Sequence, residues 1–290
     1  MDIIPTGETL GASITGLNLA EPLGAATAAA VLEALGRHGV LCFPGQSPGP
    51  AALKAFAGRF GALEINVANV GQIPEHREVM ILSNIVEEGR PIGLADAGQG
   101  WHTDMSYSAT VALGTVLHAL RIPRDGGGNP LGATQFANMH AACDDLPDDL
   151  ATRLADATAT HDFEKFWEMM RNRPGSRREP LTDEQRRRKP PVSHPLLPVH
   201  PVTGRRVLYA NPGYVTRIDG LPAEESDEIL TFLFEHQMRP EYRHAHRWNE
   251  GDVLMWDDIG TIHNAVADYG ANRPRLMHRC QIMADRAGFG

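Results

Sequence analysis

The chain has 290 residues, 42% of them apolar and 22% charged, which is ordinary for a soluble globular protein with one sizeable core. A formal net charge of −9 argues against nucleic acid or an acidic membrane surface as a partner. No window reaches the roughly 18 uncharged apolar residues of a membrane span.

In chain order, Ile3-Ile4 and Ser13–Leu17 read as a short strand pair. Residues 24–38 carry Leu and Val at helical spacing, with Gly39 where a helix stop belongs. Val40–Phe43 is an apolar run suited to a buried strand, Pro50–Phe60 a helix ended by Gly61, and Met80–Ile85 a strand. Residues 89–100 are rich in Gly and Ala and read as a mobile loop. Thr110–Ile122 leans to β, and Asp125–Pro130 is a turn. Residues 138–158 look helical. The polar stretch 163–189 includes the basic run Arg186–Lys189, which lacks interleaved aromatics and reads as solvated, or as part of a lid or subunit contact. Strands are expected at Val207–Asn211, Asp252–Trp256 and Arg279–Met283, and an amphipathic helix at Ala223–His236. No repeat or linker divides the chain, so one domain over 1–290 is expected.

Three cysteines, Cys42, Cys143 and Cys280, have no C-x-x-C spacing and read as reduced, buried thiols. The first residues lack a basic region followed by a long apolar run, and the cytoplasm is the expected location.

The chemistry sits in Trp101-His102-Thr103-Asp104. In an extended strand, residues two apart share a face, so His102 and Asp104 point together. A second imidazole, His263, lies far downstream, and two arginines, Arg275 and Arg279, follow it. Two His and one carboxylate form the facial set that suits ferrous iron and leaves positions open. The tripeptide alone is far better explained by a hydrogen-bonded pair on a sheet edge. The order of the elements, H-x-D, a distant His and then Arg, is what favours the metal. Arg matches a planar carboxylate with two parallel donors.

Around these residues the chain resembles the taurine dioxygenase/TfdA family of iron(II)- and 2-oxoglutarate-dependent dioxygenases. The resemblance runs from Gly11–Leu19 through Gly39–Gln46, Phe60-Gly61, Trp101–Asp104, Phe136–Met139, His194-Pro195, His200–Gly204 and Thr216–Ile218. It closes with His263–Ala265, Asp268-Tyr269 and Arg275–Arg279. It implies a mainly β fold with flanking helices around a double-stranded β-helix, or jelly-roll, core. It implies Fe(2+) on His102, Asp104 and His263, with 2-oxoglutarate and O2 as co-substrates. Arg275, helped by Thr134, would hold the far carboxylate of 2-oxoglutarate. Arg279 would meet an anionic group of the substrate, with Asn66 as a neutral helper, and His278 would face the other way. The implied reaction is hydroxylation of a small anionic molecule, such as a sulfonate, aryloxyalkanoate or sulfate ester, with release of succinate and CO2. The alternative is a jelly-roll protein that binds metal or ligand without catalysis. A homo-oligomer is expected. Where the taurine enzymes place polar residues for the substrate amine, this chain has Ala97 and Gly98, with Asp96 beside them, so taurine is not the expected substrate.

Overall fold

The computed structural model describes residues 1–65, 71–173, 176 and 178–286. The chain opens with β1 (Asp2–Pro5) antiparallel to β2 (Ala12–Thr15). Helix α1 (Ala25–His38) ends where Gly39 takes a positive φ of 66° and donates its N–H to Leu35 O at 2.7 Å, a stop that a side chain would resist. There follow β3 (Val40–Phe43), α2 (Pro50–Ala57) with proline in its first turn, β4 (Gln72–Ile73), β5 (His76–Ser83), and the small hairpin of β6 (Val86–Glu87) and β7 (Arg90–Pro91). After the loop that carries His102 come β8 (Ala112–Arg121), β9 (Thr134–Asn138), α3 (Met139–Asp144), α4 (Asp148–Leu154), β10 (Thr158–His161), α5 (Phe163–Arg171) and α6 (Asp183–Arg188). The rest is β11 (Val192–Pro195), β12 (Val215–Ile218), α7 (Ala223–His236), β13 (Arg243–His246), β14 (Val253–Asp257), β15 (Thr261–Ala265) and β16 (Leu276–Met283).

Eight strands form one sheet in the order β1-β2-β3-β14-β8-β16-β5-β4. Directly paired residues share a face. The row Leu41, Met255, Val116, Cys280 therefore points one way, and all four join Leu35 of α1 and Phe56 of α2 in the larger apolar core. The opposite face carries the row Cys42, Leu254, Leu117, Arg279 and, one pair further along, Val40, Trp256, Thr115, Gln281. Across that interior stands a second sheet, β13-β9-β15, whose Phe136 packs into the same cluster as Leu117, Leu254 and Trp256. Two sheets facing one another over this interior make the jelly-roll sandwich. A third small sheet, β11-β10-β12, lies to one side.

Several elements differ from expectation. Val207–Asn211 is fully buried but forms no strand. Val207 N bonds Pro198 O, Leu208 N bonds Met139 O and Tyr209 N bonds Leu196 O, so the apolar run is paired with a loop and with the start of α3 instead of a strand. The helical stretch 138–158 is two helices, because Pro147 restarts the chain at α4. The polar stretch 163–189 contains α5 and α6. Its basic run is neutralised locally: Arg186 pairs with Glu164 and Asp183, and Arg188 with Glu184. Among the described residues no helix is long and apolar enough to cross a membrane.

His161, at the end of β10, is fully buried, and neither ring nitrogen has a hydrogen-bond partner. Burial, with His194 beside it, pushes its imidazole down to about 3. An unfolded chain therefore takes up this proton as pH falls below about 6.5, while the folded one does not. Stability should be fully present above that pH and decline toward pH 3. The urea midpoint should fall between pH 6.5 and 4, and His161→Phe should flatten that decline. An identical slope in the variant would remove His161 as a cause.

Candidate metal centre

His102 does not lie in a strand ladder. It makes a single antiparallel bridge to His263, with His102 N to His263 O at 3.0 Å and His263 N to His102 O at 2.7 Å. The chain then turns away at once: Met105 has a positive φ of 59°, which is costly for a non-glycine residue. The two ligand candidates of H-x-D thus converge through a bridge and a turn, not through strand alternation. His102, Asp104 and His263 are all buried, and their candidate ligand atoms lie within 4.8 Å of one another. His102 Nε2 is 3.6 Å from Asp104 Oδ1, and His263 Nε2 is 3.9 Å from Asp104 Oδ2.

The His102 Nδ1 lies 2.7 Å from Gly100 O, so that nitrogen carries the proton and donates it. Its Nε2 is the nitrogen that faces the carboxylate. This is the arrangement of a metal-binding imidazole, with the outer nitrogen tied to a carbonyl. Burial alone would raise the Asp104 carboxyl. Arg279 Nη1, 3.3 Å from Oδ2, outweighs it together with the two histidines, and the group stays well below the usual carboxylate range. The His263 ring is pushed down to about 3 by burial and by His102, against the pull of Asp104, so it is neutral and can offer a lone pair. Two imidazoles and a carboxylate gathered in a buried place make a donor set that could hold a divalent cation.

Aromatic rings close the surroundings. Phe166 of α5 lies 5.0 Å from the His102 ring and Tyr214 6.1 Å, while Trp256 lies 5.0 Å from His263. Arg275 precedes β16 and faces the same interior as Arg279, because β16 pairs in regular register with β5. It is buried, its N–H bonds Asn84 Oδ1 and its carbonyl accepts from Ser83 Oγ. Its guanidinium stands 6.0 Å from the Tyr269 ring, and its Nε and Nη2 meet no acceptor. Thr134 is buried and accepts from Trp248 Nε1 at 3.0 Å, which leaves its own hydroxyl proton to give elsewhere.

A model of the family "Taurine catabolism dioxygenase TauD, TfdA family" matches residues 2–281. The chain belongs to that family. It is 35% identical over 298 residues to a pentalenolactone F synthase of Streptomyces avermitilis, covering 98% of this chain and 95% of that one. It is 30% identical over 292 residues to an alpha-ketoglutarate-dependent 2,4-dichlorophenoxyacetate dioxygenase of Cupriavidus pinatubonensis, covering 97% of each. Among solved structures, AAD-2 in complex with Mn(II) and N-oxalylglycine superposes with a TM-score of 0.81 at 26% identity, over 99% of both chains. Membership in the TauD/TfdA family makes this a 2-oxoglutarate-dependent dioxygenase on a jelly-roll core, and a non-catalytic binder is not favoured.

Within this TauD/TfdA chain, Asn66 falls outside the described residues. His278 pairs with His118 on the helix-covered face, away from the interior. Ala97 packs on the apolar cluster around Trp256, and Asp96 is held by both Nε and Nη2 of Arg178 at 2.9 and 3.0 Å. Sequence reasoning missed a buried network behind the histidines, formed by Asp258, Thr115 and Gln281. Alternation along β14 was the available signal, since it puts Asp258 on the same side as Trp256. Burial, with the charge of Asp104 next to it, raises the Asp258 carboxyl well above its ordinary range.

Another buried set, His140, His200 and Asp257, also has its donor atoms within 4.8 Å. It differs in its protons. His200 Nδ1 accepts from Val202 N and Thr203 N, both at 3.1 Å, so the ring proton sits on Nε2, 2.9 Å from Asp257 Oδ2. That nitrogen has no lone pair for a metal. The backbone of Gly260 fills the remaining space, since a Cβ there would stand 2.4 Å from Asp257 Oδ2. The set is a structural His–Asp pair at the root of the β14–β15 turn.

Gly213 backs His102 just as closely: a Cβ would lie 2.8 Å from His102 Cβ and 3.2 Å from Trp101 O. Gly213→Ala should displace the imidazole. The check is thermal unfolding with and without Mn(II). The upward shift that the metal gives the parent protein should shrink in the variant, and an undiminished shift would show that His102 has not moved.

Proposed function

We propose that this dioxygenase holds ferrous iron on His102, Asp104 and His263 and hydroxylates a small anionic substrate with an apolar body. The observation that carries the metal assignment is the convergence of two imidazoles and an ionised carboxylate in a buried place, with Nδ1 of His102 tied to Gly100 O. Two imidazoles with a carboxylate and no thiolate suit ferrous iron. With Fe(2+), 2-oxoglutarate and O2 in place, the centre supplies oxidative decarboxylation of the 2-oxo acid to succinate and CO2, coupled to hydroxylation of a C–H bond.

The residues of the chain bind, orient and keep the site dry. Arg275 takes the distal carboxylate of 2-oxoglutarate through Nε and Nη2, the two buried donors without a partner. Thr134, oriented by Trp248, adds a hydroxyl to the same carboxylate. Arg279 keeps one nitrogen on Asp104 and offers the others to the anionic end of the substrate. Asn66 would assist it as a neutral donor.

The substrate body meets aromatic rings. The Tyr107 ring lies tilted 4.9 Å from Phe163 and 4.8 Å from Tyr214, which lies 5.0 Å from Phe166. Such a wall favours an aryl or alkyl group over a second charge. An ammonium buried there without partners would cost several kcal/mol. Near the Trp101–Asp104 motif, Ala97 has no polar atom to offer it and Asp96 is already engaged by Arg178. The likeness to a dichlorophenoxyacetate dioxygenase supports the same class of acid. We place the enzyme in the cytoplasm as a homo-oligomer, in keeping with its three free cysteines.

Arg275→Ala should raise the 2-oxoglutarate KM by an amount equal to about 2–5 kcal/mol, the usual loss when one partner of a buried charged pair is removed. An unchanged KM would pass the carboxylate to Arg279. Succinate release should be greater with aryloxyalkanoates, alkyl sulfonates or sulfate esters than with taurine. A taurine kcat/KM at or above all of these would overturn the substrate assignment.

A further inference from the structure

We propose that Asp258 is a positioning residue that fixes the ligand set from behind, reaching Asp104 through Thr115 and standing against the outer nitrogen of His263. The inference rests on the assignment of His102, Asp104 and His263 as metal ligands, and goes beyond it. Asp258 is completely buried, at the turn from β14 to β15. Its carboxyl meets the whole cross-strand row Trp256, Thr115, Gln281. Trp256 Nε1 donates to Oδ1 at 2.9 Å, and Gln281 Nε2 donates to Oδ2 at 2.9 Å. Thr115 Oγ1 lies 2.7 Å from Oδ2. Three adjacent strands thus deliver one polar group each to a single acid.

From this anchor, contacts run to Asp104, to His263 and to the residue between the two ligands of H-x-D. Thr115 Oγ1 is also 3.2 Å from Asp104 Oδ2 and accepts from Gln281 Nε2 at 2.8 Å. Asp258 Oδ1 is 3.9 Å from His263 Nδ1, a buried nitrogen with no hydrogen-bond partner. The main-chain carbonyl of Asp258 accepts the hydroxyl of Thr103, the residue between the two ligands of H-x-D. Asp258 faces the outer nitrogen of His263, while Nε2 faces Asp104. It is therefore behind the ring, where an added carboxylate orients a ligand and does not become one.

The test uses full-length protein freed of metal by chelation and titrated with Co(II), whose d–d absorption reports both binding and coordination geometry. The variants are Thr115→Val, which keeps shape and removes the hydroxyl, Thr115→Ser, which restores it, and Asp258→Ala. Losing such outer support weakens metal binding by about ten- to a hundred-fold. Thr115→Val and Asp258→Ala should show that loss and an altered d–d spectrum, and Thr115→Ser should return both toward the parent. The KM for 2-oxoglutarate at saturating metal should not move, since Arg275 is untouched. If Asp258→Ala does not fold, the Val and Ser pair still decides the relay. Parent-like Co(II) affinity and spectrum in Thr115→Val would overturn the inference. Failure of the parent protein to bind Co(II), or binding that survives His102→Ala and His263→Ala, would instead overturn the metal assignment beneath it.

Discussion

Two main-chain hydrogen bonds between His102 and His263 hold the site together. They join a loop that has just emerged from a glycine-rich stretch to β15, a strand late in the chain. Side-chain geometry follows from them, because a backbone bridge fixes both Cα positions before any rotamer is chosen. β15 is itself anchored to β9, where His263 pairs with Phe136 and Ala265 with Thr134. The strand that presents the second histidine therefore also borders the residue assigned to the 2-oxoglutarate carboxylate. One short sheet sets the spacing between His263 and Thr134, the residues proposed for the two ends of the co-substrate site.

The interior of the sandwich is unusually charged for its burial. Asp104, Asp258, Arg275 and Arg279 share it with Trp256, Phe136 and Leu254. Burying a charge is tolerated only where partners answer it. Arg279 answers Asp104, and the raised Asp258 carboxyl needs no counter-ion of its own. Arg275 has buried donors without a partner, at Nε and Nη2. The imbalance is local and sits where an anionic co-substrate would correct it. Asp257, one residue from Asp258, is satisfied differently, by the Nε2 proton of His200. Neighbours in sequence thus serve opposite faces of the same strand.

Much of this was legible in the sequence, and for a physical reason. Metal ligands and a carboxylate clamp demand particular residue types in a particular order, so His102, Asp104, His263 and Arg275 stand out. Strands such as Val40–Phe43 and helices such as Ala223–His236 were visible from their apolar spacing. Period-two reasoning failed at Asp104 because the backbone turns at Met105, in a conformation that residue type does not announce. Val207–Asn211 misled because burial, not ladder pairing, selects its apolar residues. The polar stretch 163–189 hid α5, although Phe163, Phe166 and Met170 repeat at helical spacing and Phe166 supplies a ring beside His102. Asp258 was harder to read for another reason: alternation from Trp256 turns it inward, but its role depends on Thr115 and Gln281, which meet it only when β8, β14 and β16 lie side by side.

The loop before His102 is tied down in two unlike ways. At its inner end, backbone bonds join Gly98 O to Ala265 N and the buried His102 to the buried His263. At its outer end the ties are side-chain ones, Asp96 to Arg178 and Gln99 to Arg173, with Asp96 more than a third exposed. Dissolved ions screen exposed charges over about 8 Å at physiological ionic strength. The floor of the site is thus set by the fold alone, whereas the grip on its rim is set partly by the salinity of the surrounding medium.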